Sequence, residues 1–117
     1  EKGLRMALVT SAAEQLARAF LQDKKIAGYF EIIVAGDHVI RSKPDPAIYL
    51  RALNLLGIES DEAVAIEDSS NGVQAATTAG IYTLWITHQS SDLNRSPGPH
   101  LRQVSDWHEI RKLFEKN

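Results

Sequence analysis

Residues 63–80 read AVAIEDSSNGVQAATTAG, and the fold follows from how that stretch divides. Ala63–Ile66 is an apolar run, too short for a helix and suited to a parallel strand covered on both faces. Glu67 and Asp68 then fall at the carboxyl end of that strand, the edge where open α/β sheets place their ligands. Ser69, Ser70 or Asn71 caps the helix that follows, a contribution of about 1 kcal/mol. Ala75, Ala76 and Ala79 recur three or four apart, a thin face that lets the helix approach a sheet closely. Gly80 supplies the stop.

Two adjacent carboxylates at a strand end are costly. Like charges roughly 4 Å apart repel by about 4 kcal/mol at an effective dielectric of about 20. Either the pair points apart into water, as a solvated acidic turn capping a helix, or a cation holds it together. A hard, oxygen-liganded ion such as Mg2+ suits the second case, with a substrate phosphate as a further ligand.

The flanking segments repeat the alternation. Leu4–Val9 is strand-like and ends in Thr10-Ser11; helical spacing takes over from about Ala12 to Asp23, with Ala13, Leu16, Ala17, Phe20 and Leu21 on one face. Glu31–Ala35 reads as a second strand, closed by Gly36. The prolines of Lys43-Pro44-Asp45-Pro46 forbid helix before Pro46 and suit its first turn. Ala47–Leu56 is then helical, with Ile48, Ala52, Leu55 and Leu56 along one face and Gly57 as its stop. Tyr82–Ile86 is rich in aromatic and branched residues and reads as a strand. His88–His100 is a loop, and Asp106 caps a last helix, Trp107–Phe114. Strands alternating with helices imply a Rossmann-like α/β fold, a parallel sheet with right-handed crossovers and helices on both faces.

Composition narrows the function classes. A chain of 117 residues is one domain at most. Its net charge of -2 gives no reason to expect nucleic acid or an anionic membrane as partner. With no cysteine, a disulfide framework and a thiolate metal site are both excluded. No apolar run approaches the roughly 20 residues of a membrane span. The first residues, EKGLRMALV, have no long signal-peptide core, and a cytoplasmic location is expected.

Three polar clusters belong to one sheet edge: Thr10-Ser11, Lys43 and Glu67-Asp68. A hydroxyl followed by helix N-terminal amides is a ready phosphate cradle, although Thr10 also fits a plain N-cap. Lys43 is either a point-charge partner for phosphate or a solvated surface lysine. The four histidines, His38, His88, His100 and His108, show no metal-ligand spacing, and His38 reads as a loop residue.

LVTSA at 8–12, KPDPAIYLRAL at 43–53 and AIEDSSNGVQAATTAG at 65–80, in that order, resemble the second, third and fourth motifs of the haloacid dehalogenase superfamily. The likeness is greatest to the subgroup containing β-phosphoglucomutase and small sugar-phosphate phosphatases. The resemblance implies that Thr10 donates its hydroxyl to the transferring phosphoryl group, helped by the Ser11 amide, and that Lys43 balances charge there. It makes Glu67 and Asp68 the ligands of Mg2+. Phosphoryl transfer, which asks mainly for positioning and charge neutralisation, agrees with these residue types.

In that family an aspartate of a first motif, DxDGT, attacks the phosphate, and no segment here matches it. Asp37, Asp45 and Asp61 stand in other contexts. The family's sheet order puts the corresponding strand between Leu4–Val9 and Ala63–Ile66. Residues 1–117 are therefore expected to form the C-terminal part of such a core, without the first, central strand and the cap. The reading is a Mg2+-dependent phosphatase or phosphomutase acting on a small phosphorylated metabolite such as a sugar phosphate, through an aspartyl-phosphate. Its nucleophile is expected on an N-terminal segment or a second chain. The alternative is a catalytically silent phosphate- and Mg2+-binding fragment that pairs with another chain or segment.

Overall fold

The computed structural model of the protein describes residues 3–87 and 100–114. Its elements run β1 (Ala7–Val9), α1 (Glu14–Asp23), β2 (Ile32–Val34), α2 (Ala47–Leu56), β3 (Val64–Glu67), α3 (Ser70–Thr78), β4 (Tyr82–Ile86), β5 (Leu101–Val104) and α4 (Trp107–Phe114). Every strand pairing among the described residues is parallel. Among the described residues no helix is long and apolar enough to cross a membrane.

The strands form two sheets rather than one. β1 pairs with β2, and β4 lies between β3 and β5. The break between β1 and β3 falls where the family resemblance leaves a strand position open. One core nevertheless spans both sheets: Val34 of β2 and Ala65 of β3 pack with Ile48, Tyr49, Ala52 and Leu53 of α2 and with Ala75 and Ala76 of α3. On the opposite face Leu84 and Ile86 of β4 and Val104 of β5 pack with Ile110 of α4. Helices thus cover both faces, as the alternation implies.

Several boundaries and faces depart from expectation. β1 begins at Ala7 and not at Leu4, and Leu4 and Met6 are exposed. On α2 the buried leucine is Leu53, while Leu55 is 50% exposed. Leu53, Leu55 and Leu56 are equally apolar, so only the position of Val34 and Ala65 selects among them. On α1, Ala17 and Leu21 are buried but Leu16 and Phe20 are exposed. β5, which the sequence reading leaves unassigned, is held by its register with β4, Thr83 opposite Leu101 and Ile86 opposite Val104. Residues 88–99 of the expected loop, His88 included, lie outside the described residues.

The expected caps are present at α2, α3 and α4. Gly57 ends α2 in the left-handed region at φ 70°, which a side chain would strain, and its amide donates to the Asn54 and Leu53 carbonyls. Ser69, of the three candidates, is the N-cap of α3: its Oγ accepts from the Gly72 amide at 3.0 Å. Asp106 Oδ1 accepts from the Glu109 amide at 2.9 Å.

Candidate active site

Thr10, Ser11, Lys43, Glu67 and Asp68, drawn from three separate segments, line one cleft of about 610 Å3 at the carboxyl ends of β1 and β3. Leu8, Val9 and Ile66 form its apolar side, and Ser69, Ser70 and Asn71 at the start of α3 complete the wall.

β1 delivers Thr10 and Ser11. Thr10 Oγ1 accepts from the Ala12 amide at 3.1 Å, closing a tight turn. Helix α1 starts only at Glu14, with Ala13 as an N-cap that makes no side-chain bond, so Thr10 does not cap it. The loops after β1 and β2 are pressed together. The Gly36 amide donates to the Ala12 carbonyl at 2.8 Å, and a Cβ on Gly36 would stand 2.1 Å from the Ser11 carbonyl oxygen. Only a residue without a side chain leaves the Thr10-Ser11 turn where it is.

Lys43 is not a solvated surface lysine. Its side chain is 10% exposed, and Nζ donates to Glu67 Oε2 at 2.6 Å and to the Val9 carbonyl at 3.2 Å. The one ammonium therefore ties the end of β1 to the end of β3, across the break between the sheets. The Lys43–Pro44 peptide is cis.

Glu67, the last residue of β3, and Asp68, the first beyond it, have different surroundings. Glu67 is buried; Tyr49 Oη and Lys43 Nζ both donate to its Oε2. Asp68 is exposed at the cleft, and its carbonyl accepts from Trp85 Nε1 at 3.4 Å. The charge of Glu67 is thus balanced by Lys43, and that of Asp68 is exposed to solvent. Burial, then the charge of Glu67 and the bond to it, push the Tyr49 phenol far above its usual range.

Gly72 completes the setting of Glu67. A Cβ there would lie 1.9 Å from Glu67 Oε1, so the carboxylate occupies space that any side chain on the first turn of α3 would take. Tyr49, Gly72 and Trp85 were not singled out as site residues by the sequence. Tyr49 lies on the apolar face of a helix 18 residues from Glu67, and nothing in that spacing announces the contact.

The donor set suits a hard divalent cation in part. Among the described residues no three of His, Cys, Asp and Glu converge on one point. Mg2+ commonly takes only one or two carboxylates, with waters and phosphate oxygens filling the remainder, and Glu67 with Asp68 can supply that number. His38 is engaged elsewhere: its Nδ1 accepts from the Ala35 amide at 2.9 Å, and Nε2 faces Glu14 Oε1 at 2.8 Å. Those two contacts put its proton on Nε2. The bonds from His38 and then Arg18 hold Glu14 below the usual carboxylate range.

A parallel α/β framework with hydroxyls, a lysine and two carboxylates gathered at the carboxyl strand edge defines a ligand-binding class of protein. The family model described as haloacid dehalogenase-like hydrolase matches residues 1–86, and the chain belongs to that family. It is 38% identical over 92 residues to the phosphorylated carbohydrates phosphatase of Thermotoga maritima, an alignment covering 78% of this chain and 43% of that protein. It is 37% identical over 86 residues to phosphoglycolate phosphatase 1 of Pseudomonas aeruginosa, covering 74% of this chain and 32% of that protein. Among solved structures it resembles CbbY from Rhodobacter sphaeroides in complex with phosphate, with a TM-score of 0.81 and 29% identity over 93% of this chain and 49% of that one. A putative β-phosphoglucomutase from Thermotoga maritima gives 0.78 and 30%, over 97% and 55% of the two chains. The chain spans less than half the length of these two phosphatases.

Proposed function

We propose that the chain forms the phosphate- and cation-binding part of a Mg2+-dependent phosphatase acting on small phosphorylated metabolites, sugar phosphates or phosphoglycolate among them. The observation that carries this reading is the convergence of Thr10, Ser11, Lys43, Glu67 and Asp68 on one cleft. In this reading Thr10 Oγ1 and the Ser11 amide donate to the phosphoryl oxygens, and Lys43 balances their charge while keeping its bond to Glu67. Glu67 and Asp68 hold Mg2+, which, when bound, neutralises charge on the phosphoryl oxygens.

The attacking group is an aspartate on a further strand, supplied by an N-terminal segment or a second chain. β1 and β3 each have an edge without a strand partner among the described residues, and the cleft lies between them. Val64 and Ile66, at 47% and 37% exposed, form an apolar row beside it. A parallel strand there would satisfy both edges. Its carboxylate would attack phosphorus as the ester P–O bond breaks and the alcohol leaves; water would then hydrolyse the aspartyl-phosphate.

The test is phosphate release from 2-phosphoglycolate and a panel of sugar phosphates by the full-length protein, with and without Mg2+. Release should require the metal, and Asp68→Asn should lower it at least about a hundredfold. Undiminished release by that variant removes the assignment. A second reading, a silent binding fragment, is favoured by one fact: among the described residues Glu67 and Asp68 are the only carboxylates lining the cleft. It requires that the protein bind Mg2+ and inorganic phosphate and release none from any ester.

A further inference from the structure

The Tyr49 hydroxyl does nothing that packing in the core requires. Tyr49 belongs to the buried apolar cluster that also holds Val34, Ile48, Ala52 and Ala65, an environment that suits phenylalanine equally well. The hydroxyl is instead spent on one atom, Glu67 Oε2, which also accepts from Lys43 Nζ. Nζ stands 5.4 Å from the centre of the Tyr49 ring, so phenol and ammonium approach the same carboxylate oxygen side by side. Glu67 Oε1, which carries neither bond, fills the space over Gly72 that a Cβ would occupy. The carboxylate is thereby fixed at both oxygens.

We propose that Tyr49 is a positioning residue of this site, its hydroxyl and the open space at Gly72 together forming the seat that orients Glu67. The inference rests on the reading of Glu67 and Asp68 as a cation site. A carboxylate held by one ammonium alone swings about that contact. A second donor on the same oxygen fixes its plane and draws off part of the charge that binds Lys43. Oε1 is then set for a cation beside Asp68, and Lys43, with two N–H groups on Glu67 and the Val9 carbonyl, keeps the third for an anion in the cleft. Partners that orient a ligating side chain in this way carry a substantial share of metal affinity.

Mn2+ binding to the full-length protein, followed by electron paramagnetic resonance with no substrate present, tests this. Tyr49→Phe should weaken Mn2+ binding about tenfold with little change in thermal midpoint. Gly72→Ala, which favours a helix intrinsically, should weaken it as well by displacing Glu67. The decisive arm is a cycle with Glu67→Gln: in that background Tyr49→Phe should have no further effect, because the tyrosine acts through Glu67. Unchanged affinity in Tyr49→Phe, or an equal loss with and without Glu67, overturns the proposal. Binding that Asp68→Asn abolishes but Tyr49→Phe leaves intact spares the cation site and removes only Tyr49. Absence of Mn2+ binding by the unsubstituted protein overturns both.

Discussion

Strands β3 and β4 run side by side in parallel register, Val64 opposite Tyr82 and Glu67 opposite Trp85, yet they live in different surroundings. In β4 the four residues Thr83–Ile86 are all buried. In β3 burial alternates: Ala65 and Glu67 are enclosed, whereas Val64 and Ile66 remain 47% and 37% exposed. β4 has a strand on either side, α3 against it and the α4 cluster on its other face. Among the described residues β3 has one strand neighbour, and Ala65 faces the core shared by α2 and α3. Among the described residues β3 is thus an apolar strand uncovered on one row and one edge. The enclosed row ends in the buried carboxylate of Glu67, which with Lys43 lines the cleft at the carboxyl end of the strand.

This contrast can be broken at several points. The largest effect belongs to the enclosed row. Glu67→Gln leaves Lys43 buried without its counter-charge and should destabilise the protein by about 3 kcal/mol. Asp68→Asn, one residue on but exposed, should stay within about 0.5 kcal/mol. Urea denaturation of both variants measures the difference, and similar losses would show that Asp68 is also enclosed. Next comes packing. Leu84→Ala should cost about 3 kcal/mol and Ile66→Ala about 1 kcal/mol in the same assay. Equal costs would mean that the outward row of β3 is covered in solution.

The smallest effect concerns an exposed ion pair at the other end of β1. Arg5 Nη2 meets Glu31 Oε2 at 2.6 Å, the same distance as Lys43 to Glu67, but its side chains are 49% and 45% exposed. The bond from Arg5 holds the Glu31 carboxyl below its usual value. A carboxyl with a depressed folded pKa stabilises above its unfolded pKa of about 4.3, and that contribution is lost as the pH falls through the folded value. Glu31→Gln should therefore lower the thermal midpoint slightly near neutrality and not at all in strong acid, while solvent keeps the effect small. A large, pH-independent drop would mark the pair as structural.

Much of this was legible in the sequence, and what was not has physical reasons. Polar residues just after strands or ahead of a helix, Thr10, Lys43 and Glu67-Asp68, follow from the alternation of apolar runs with turns, and the cleft brings all of them together. The break between β1 and β3 was read from family resemblance, since no local pattern specifies what a strand pairs with. β5 escaped because LRQV has no clear alternation, and only β4 defines it. The choice of Leu53 over Leu55 and Leu56 depends on partners distant in sequence. Tyr49 escaped because its contact with Glu67, 18 residues on, is made by tertiary packing and leaves no local pattern.

The crowding at Gly36 reaches beyond its own loop. Gly36 does not line the cleft, yet a single methyl group there would strike the Ser11 carbonyl, 2.1 Å from where its carbon would stand. Tolerance to substitution is therefore not graded by distance from the ligand. A library scored for ligand binding would find position 36 as intolerant as the cleft itself, and would find it so for alanine, the mildest of changes.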